Sequence, residues 1–521
     1  MASKYIIASD LGSQSVKTAI YDTEGHAIGT YSQDTKIHTL GPNALVYYGD
    51  EFYQITTENI RFLVKKTKIN PKEVAVISFS GMGGGILGVD ENWKPTSEYT
   101  NPIDCRDQSC FSEVMKKHRD LIRSKSATGS PMAANKIVWL KKSYPEIYKK
   151  SKKFMIVTQY VQGKLAYTKT KDAFWENTSS AFTGLADVEN IHWSDEICNA
   201  LEIDTDKLPR LIDPTDIIGT LTKAAAEDCS LIEGLPIAAG AYDKPCDTLG
   251  SGSNEIGSIV DNAATYPAIT VCVDGFTSDM KHKTLECHPS AIKDLWLLET
   301  YITGGGLTHK WFSDNFCNEE KTRAEKTGTS MYHLLDEEAS KIPPGAEGLL
   351  FIPHLCGRAT PCDPEVRGQW VGFTWTHKRE HFYRSILESI AYEHACSLKI
   401  VTDNYPNIAF NKVIVLGGGA SSSLWNQIKA DVLGFPYIRL NREDFATLGA
   451  AIIGGKAVGL FEDMQATAKS FSHAQEKYFP RNEIHNYYKN YIDVYNRIFK
   501  DLKHVYNQLY QISSLPIPKG S

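Results

Sequence analysis

The sequence is first defined by what it lacks. None of its eleven cysteines stands in a C-x-x-C pair, which argues against a zinc ribbon or redox motif, and the odd count argues against a disulfide framework. Reduced thiols in a cytoplasm are the expectation. No apolar run approaches the ~18 residues a membrane helix needs, and Met1-Ala-Ser-Lys4 leads straight into a strand pattern rather than a signal peptide. Basic excess is missing too: 56 Lys and Arg against 62 Asp and Glu leave a formal charge of -6. Nucleic acid and anionic membranes are therefore not expected partners. Nor is there a G-x-x-x-x-G-K-[ST] string, so no P-loop holds a nucleotide here.

What is present is a soluble globular composition, 42% hydrophobic and 23% charged. At 521 residues the chain exceeds what one core accommodates, and two domains are expected. The stretch Tyr5-Ile-Ile-Ala-Ser-Asp-Leu-Gly-Ser-Gln-Ser-Val-Lys-Thr-Ala-Ile-Tyr-Asp22 reads as two strands around a small-residue turn. Gly12 permits the turn and a close backbone approach. Gly12, Ser13 and Ser15 offer amides and hydroxyls to phosphate oxygens, Lys17 adds a cation, and Asp10 suits a hydrated Mg²⁺.

Glu73 to Phe79 is an apolar strand that enters the glycine cluster Gly81-Met-Gly-Gly-Gly85. Gly83-x-Gly85-x-x-Gly88 matches a dinucleotide fingerprint as a string, but that motif must open a helix. Ile86 to Val89 instead reads as a returning strand before an Asp90–Pro95 turn, so a second hairpin is expected and a nicotinamide enzyme is not. Asp104-Cys-Arg-Asp107 follows a Pro102 turn and is suited to clamp hydroxyls. Helical patterning runs from Ser109 to Tyr148.

Leu235 to Gly240 is a strand that ends before Asp243, with Pro245 in the first helical turn. Asp243 is either an N-cap or a carboxylate placed to take a proton from a substrate hydroxyl. Gly257 to Val273 echoes the N-terminal hairpin, its turn at Ala264-Thr265. Two such hairpins suggest an internal duplication with a boundary near Gly250-Ser-Gly-Ser253. Gly304-Gly-Gly306 precedes a helix carrying Trp311, and Glu319 to Lys341 reads as one charged surface helix. Val413 to Leu416 runs through three glycines into another helix, a turn that admits a flat ring. Tyr488, Tyr491, Tyr495, Ile498, Leu502 and Leu509 recur at helical spacing, the pattern of core packing or of a homodimer contact.

Together these segments resemble the FGGY family of carbohydrate kinases, from Tyr5 to about Leu460. Asp10-Leu-Gly-Ser-Gln-Ser-Val-Lys17 is similar to the family's D-x-G-T-x-S-x-[KR] hairpin, with Ser13 for the threonine. Lys136-Ile-Val-Trp-Leu140 resembles the core of one family signature. Gly368-Gln-Trp-Val-Gly372 through Glu388 nearly meets the other, although Phe373 departs from it. Gly240-Ala-Tyr-Asp243 matches G-x-x-D, and Gly417-Gly-Gly-Ala-Ser-Ser-Ser423 resembles the adenosine motif.

The resemblance implies an α/β fold of two actin-like ATPase (ribonuclease H-like) domains around a cleft. Residues 1–250 would form the N-terminal FGGY domain with the sugar site and phosphate hairpin, and 251–521 the nucleotide-binding C-terminal domain with a helical tail. It further implies in-line transfer of the ATP γ-phosphoryl group to a sugar hydroxyl. Asp243 would be the general base, Asp10 the Mg²⁺ residue acting through water. Gly12, Ser13, Ser15, Lys17, Thr265, Gly306, Gly418, Gly419 and Ser423 would contact ATP, and Gly84, Asp104 and Arg106, with Asp243, the sugar.

The acceptor is expected to be a pentulose such as xylulose, or a related ketose or polyol. Gly81–Gly85 lacks the glutamine and histidine of the xylulokinase G-Q-M-H-G turn, Pro102 replaces the tryptophan of W-x-D-x-R, and Gly357-Arg-Ala-Thr-Pro361 departs from G-E-R-T-P. Segments from Trp311 to Lys321 and Pro343 to Gly348 look like bacterial autoinducer kinases, which phosphorylate a dihydroxy-pentanedione. A non-catalytic ATP-binding sugar sensor is the other alternative, and the presence of Asp243 argues against it.

Overall fold

The computed structural model describes residues 4–100, 103–513 and 515; the Pro102 turn lies outside them. Two sheets organise these residues. The first has the order Ile217–Thr220, Pro236–Ala238, Val74–Gly81, Tyr5–Leu11, Ser15–Asp22, Ala27–Asp34. Tyr5–Leu11 pairs antiparallel with Ser15–Asp22, Asp10 opposite Lys17, and parallel with Val74–Gly81. The second sheet has the order Glu286–Pro289, Trp296–Tyr301, Ala268–Val273, Ile259–Asn262, Val413–Leu416, Tyr437–Leu440, Ala474–Tyr478. Ile259–Asn262 again pairs antiparallel with the next strand and parallel with a much later one, Val413–Leu416. The two sheets share one plan, as the duplicated hairpins imply, and the actin-like α/β architecture is observed.

The strand Val74–Gly81 is buried at every position, which is why it reads as a continuous apolar run rather than an alternating one. It does not form the expected hairpin. Its two edges are taken by Tyr5–Leu11 and Pro236–Ala238, so Leu87–Val89 pairs instead with Lys153–Met155. Gly85 makes the departure: its φ is +98°, and a β-carbon there would lie 2.5 Å from the Thr100 carbonyl oxygen. As expected, the glycines open no helix; the next one is Gln108–Ser126.

The halves are joined by two helices, Asp243–Gly250 and Phe445–Ala457, that cross with backbones touching. A β-carbon on Gly250 would fall 2.1 Å from the Phe445 carbonyl oxygen, and one on Gly449 2.0 Å from that of Cys246. Phe445–Ala457 also lies on the first sheet, so Ile6, Val76, Leu249, Leu448 and Ile452 share one apolar cluster.

Two further expectations change. The charged helix of 319–341 is two helices, Asn318–Thr327 and Met331–Ala339, because Gly328 caps the first in the left-handed conformation (φ +68°). The tyrosine stripe is largely packed within the chain. On Asn482–Asp501, Tyr488 donates to Glu388 Oε1 at 2.7 Å and Tyr495 to Glu393 Oε2 at 2.8 Å, both on the helix Arg379–Asn404. Leu509 stays 52% exposed. All eleven cysteines are free; Cys105, Cys356 and Cys362 are exposed, Cys396 is half-buried and the rest are buried.

Candidate active site

The N-terminal turn is closed by Gly12 N–H donating to the Ser15 carbonyl at 3.0 Å. The Ser13 carbonyl accepts from Thr35 Oγ1 at 2.7 Å and Tyr47 OH at 2.8 Å, so the tip is anchored from behind. Ser13 is exposed, and Gly12, Ser15 and Lys17 are half-buried. At the end of the first strand, Asp10 is pushed up to about 6 by burial, with Asp243 adding to it against the pull of Ser80, Lys244 and Lys17. Its Oδ1 has no hydrogen-bond partner.

Asp243 reaches this carboxylate because the chain turns sharply at Gly240 (φ +71°), where a β-carbon would collide with the Phe79 carbonyl at 1.8 Å. Tyr242 is the N-cap residue and Asp243 the first helical one, with no side-chain cap bond at this end. The capping reading therefore fails. The Asp243 carboxylate, 37% exposed, instead lies 3.2 Å from Lys244 Nζ, which is also 3.7 Å from Asp247. Burial works against the charge of Lys244, but Asp243 and Asp247 prevail and hold it above its ordinary value. Asp247 is pushed up to about 7 by burial, with Asp243, Asp10 and Glu299 adding to it against Lys244. It accepts from Asn262 Nδ2 of the other half at 3.3 Å.

A second contact between the halves lies beside it. Tyr242 OH donates to Glu299 Oε2 at 2.8 Å and sits 2.8 Å from His288 Nε2. Thr270 Oγ1 donates to Glu299 Oε1 at 3.0 Å, and Tyr301 OH also donates to this carboxylate. Burial alone would raise Glu299; His288, Lys244 and Tyr301 bring it down to about 2.

The nucleotide-sized space belongs to the second half. A cavity of about 590 Å³ is lined by Thr265, Gly306, Gly418, Gly419, Ser422 and Trp425, among others. Its turns pack together because side chains are missing: a β-carbon on Gly306 would be 2.7 Å from the Ala264 carbonyl, and one on Gly419 2.5 Å from the Trp425 ring. His309, its ring 4.6 Å from that of Trp425, is held neutral, pushed down to about 3 by burial and by Lys429. A flat apolar wall with polar groups at one end suits a purine and its phosphates.

Of the residues expected at the site, Asp10, Lys17 and Asp243 come together, and Thr265, Gly306, Gly418 and Gly419 line one cavity. Ser423 does not line it. A 3₁₀ turn, Gly418–Ser421, intervenes, so Ser422 caps the helix Ser423–Leu433 and Ser423 Oγ meets Tyr478 OH at 3.0 Å. Gly84 lies in the turn that reaches Tyr242, where a β-carbon on Gly83 would be 3.0 Å from the ring; its carbonyl accepts from Tyr99 OH. Asp104 and Arg106 are spent on each other, Arg106 Nη2 donating to Asp104 Oδ2 at 2.7 Å, and Arg106 stacks on Trp139 at 4.9 Å. Among the described residues, no ion pair joins them to the acidic group around Asp243.

Asp247, Lys244, Asn262 and Glu299 were not anticipated. Asp247 had a signal, since residues four apart share a helix face. Glu299 had only its oddity as a charge within an apolar strand. The group fits a hydrated magnesium ion: Asp10 has an unpartnered buried oxygen, and the neighbouring Asp243 carboxylate adds to the rise of both Asp10 and Asp247. Among the described residues, Asp22, Glu24 and His26 on the surface are the only group of three or more that brings its ligand atoms within 4.8 Å of one another. Contact through water is therefore what the spacing of Asp10, Asp243 and Asp247 allows.

Comparison with known proteins agrees. The chain is 26% identical over 522 residues to a xylulose kinase from Staphylococcus epidermidis, covering 99% of this chain and 100% of that one. It is 25% identical over 519 residues to an autoinducer-2 kinase from Escherichia coli, covering 95% and 94%. Its fold matches the crystal structure of a gluconate kinase from Lactobacillus acidophilus with a TM-score of 0.88, at 22% identity over 97% of this chain and 99% of that one. Residues 5–250 match the N-terminal domain, and residues 268–458 the C-terminal domain, of the FGGY family of carbohydrate kinases. The chain belongs to that family, and it is a phosphotransferase with an alcohol group as acceptor.

Proposed function

We propose that this chain transfers the γ-phosphoryl group of Mg-ATP to a hydroxyl of a short neutral sugar, a pentulose or a related ketose or polyol. The observation that carries the reading is the position of Asp243. Its partly exposed carboxylate sits at a helix start between the two halves, beside Asp10 and Lys244, with the nucleotide cavity on the facing hairpin. The acceptor oxygen attacks the γ-phosphorus, the bond to the β–γ bridging oxygen breaks, and ADP leaves. Asp243 takes the hydroxyl proton, a role typically worth about 10²–10⁴-fold. Ser13 and Thr265 supply donors to the phosphate oxygens, Gly12 lets the backbone come close to them, and Lys17 adds positive charge. Magnesium, held through water by Asp10 with Asp247 nearby, would neutralise phosphate charge.

A neutral acceptor is favoured over an aldonate because Asp10, Asp243, Asp247 and Glu299 outnumber Lys244 around the base. Xylulose, gluconate and dihydroxy-pentanedione are thus unequal candidates in the order neutral before anionic.

The test is a coupled ADP-release assay with Mg-ATP across ketoses, polyols, gluconate and dihydroxy-pentanedione, comparing the native chain with Asp243→Asn. One neutral acceptor is expected to drive turnover, and the substitution to lower it about 10²–10⁴-fold while ADP still binds. Equal rates in the two proteins would refute the role of Asp243, and turnover on gluconate alone would refute the substrate class.

A further inference from the structure

We propose that the seam between the two halves carries an anion site, separate from the nucleotide cavity, that takes a phosphate group. A cavity of about 140 Å³ opens between the helix Gln108–Ser126, which contributes Arg119 and Arg123, and the segment of the second half that contributes Lys281, His282, Lys283 and Glu286. This is a concentration of cations in a chain whose formal charge is -6.

The strongest sign is Arg123. It is only 3% exposed, and although one Nη donates to the Leu285 carbonyl at 3.1 Å, its Nε has no hydrogen-bond partner. A buried guanidinium N–H without an acceptor is costly, and native proteins retain few such groups without a use. Burial pushes Arg123 below its ordinary value despite Glu286 and Asp279 nearby, so the charge is incompletely compensated.

The surrounding acids are mostly engaged elsewhere. Asp279 accepts from the N–H groups of His282, Thr284 and Leu285 at 2.8, 2.8 and 3.1 Å. Asp120 is occupied by Lys283 at 2.7 Å. Glu286 Oε1 accepts from Gly129 N–H at 3.2 Å, while its Oε2 is unpartnered. Burial pushes Glu286 up, against the pull of Arg123 and the Gly129 N–H. Among the described residues, Arg119 and Lys281 form no ion pair. Arg119, Arg123 and Lys281 therefore face one small space with a single carboxylate, Glu286, a donor set whose positive excess suits a doubly charged tetrahedral oxyanion.

The chemistry is that of inorganic phosphate or of the phosphate end of a small phosphoester. Its donors come from both halves, so a bound anion ties them across the seam. Glu286 pairs with Glu299 in the sheet, and Glu299 accepts from Tyr242, next to Asp243. The site therefore stands one strand away from the contact that borders the base.

The experiment is calorimetric titration of inorganic phosphate into the full chain in chloride buffer, repeated with Arg119→Gln/Lys281→Gln and with Asp243→Asn. Arg119 is half-buried and Lys281 exposed, and a thermal melt checks that the fold is kept. One phosphate site is expected, weakened at least about tenfold in the double variant by loss of two charge-assisted contacts. It should be unchanged in Asp243→Asn, which separates this result from the fate of the kinase reading. A parallel titration with a small sugar phosphate assigns the source: tighter binding names a phosphoester, weaker binding names free phosphate. No phosphate binding, or equal binding in the double variant, would overturn the proposal.

Discussion

The two hairpins that face the cleft share a topology and differ in the side chain that stands two residues before the turn. In the first half, Asp10 stands two residues before Gly12-Ser13; in the second, Asn262 stands two residues before Ala264-Thr265. The carboxylate faces the other acids of the Asp243 helix and is pushed up to about 6. The amide is neutral, donates to Asp247 and leaves the neighbouring cavity of the second half without an added negative charge. The same strand pairing occurs twice, and an acid at this position in one hairpin against an amide in the other separates the one that manages charge from the one that floors a binding space.

The largest effect should come from erasing that difference. Asp10→Asn makes the first hairpin resemble the second, and turnover with Mg-ATP is expected to fall roughly 10²–10³-fold while ADP affinity, measured by calorimetry, changes little. An equal loss of ADP binding would mean that Asp10 belongs to the nucleotide cavity instead. The next effect compares the glycines. Gly419→Ala places a β-carbon 2.5 Å from the Trp425 ring and 2.9 Å from the Ala263 β-carbon, an overpacking that costs about 1–3 kcal/mol and should weaken ATP binding. Gly12→Ala meets only the Ser15 carbonyl at 3.0 Å and should shift melting and ATP affinity less; the reverse order would break the comparison.

The smallest effect is in pH. His309 moves from an ordinary 6.5 to about 3 in the fold, so the unfolded chain takes up its proton first as pH falls. Its contribution is full above 6.5 and is lost as pH drops towards 3. Melting curves of His309→Gln between pH 7 and 4 should show a flatter acid limb than the native chain, and parallel limbs would remove His309 from the account.

Sequence made the local parts of this molecule legible. Strand, small-residue turn and strand at Tyr5–Asp22, the repeat around Ala264-Thr265, and the strand end before Asp243 are all set by residues within a few positions. Long-range choices were not. Whether Leu87–Val89 could return onto Val74–Gly81 depended on Pro236–Ala238 claiming that edge, about 150 residues later in the chain. The Tyr242–Glu299 contact joins strands and helices of different halves and leaves no mark in either segment. Ser423 was displaced by one position because three glycines carry no signal for where the 3₁₀ turn stops and the helix begins. Asp247 was readable from its spacing to Asp243.

The distribution of thiols offers a direct means of observing motion. Cys105 is exposed on the first half and Cys356 on the second, and most of the other cysteines are buried. With the third exposed thiol changed by Cys362→Ser, a pair of spin labels or fluorophores would attach at these two native positions. The distance between the labels would then report in solution how far the halves separate when nucleotide, acceptor or phosphate is added.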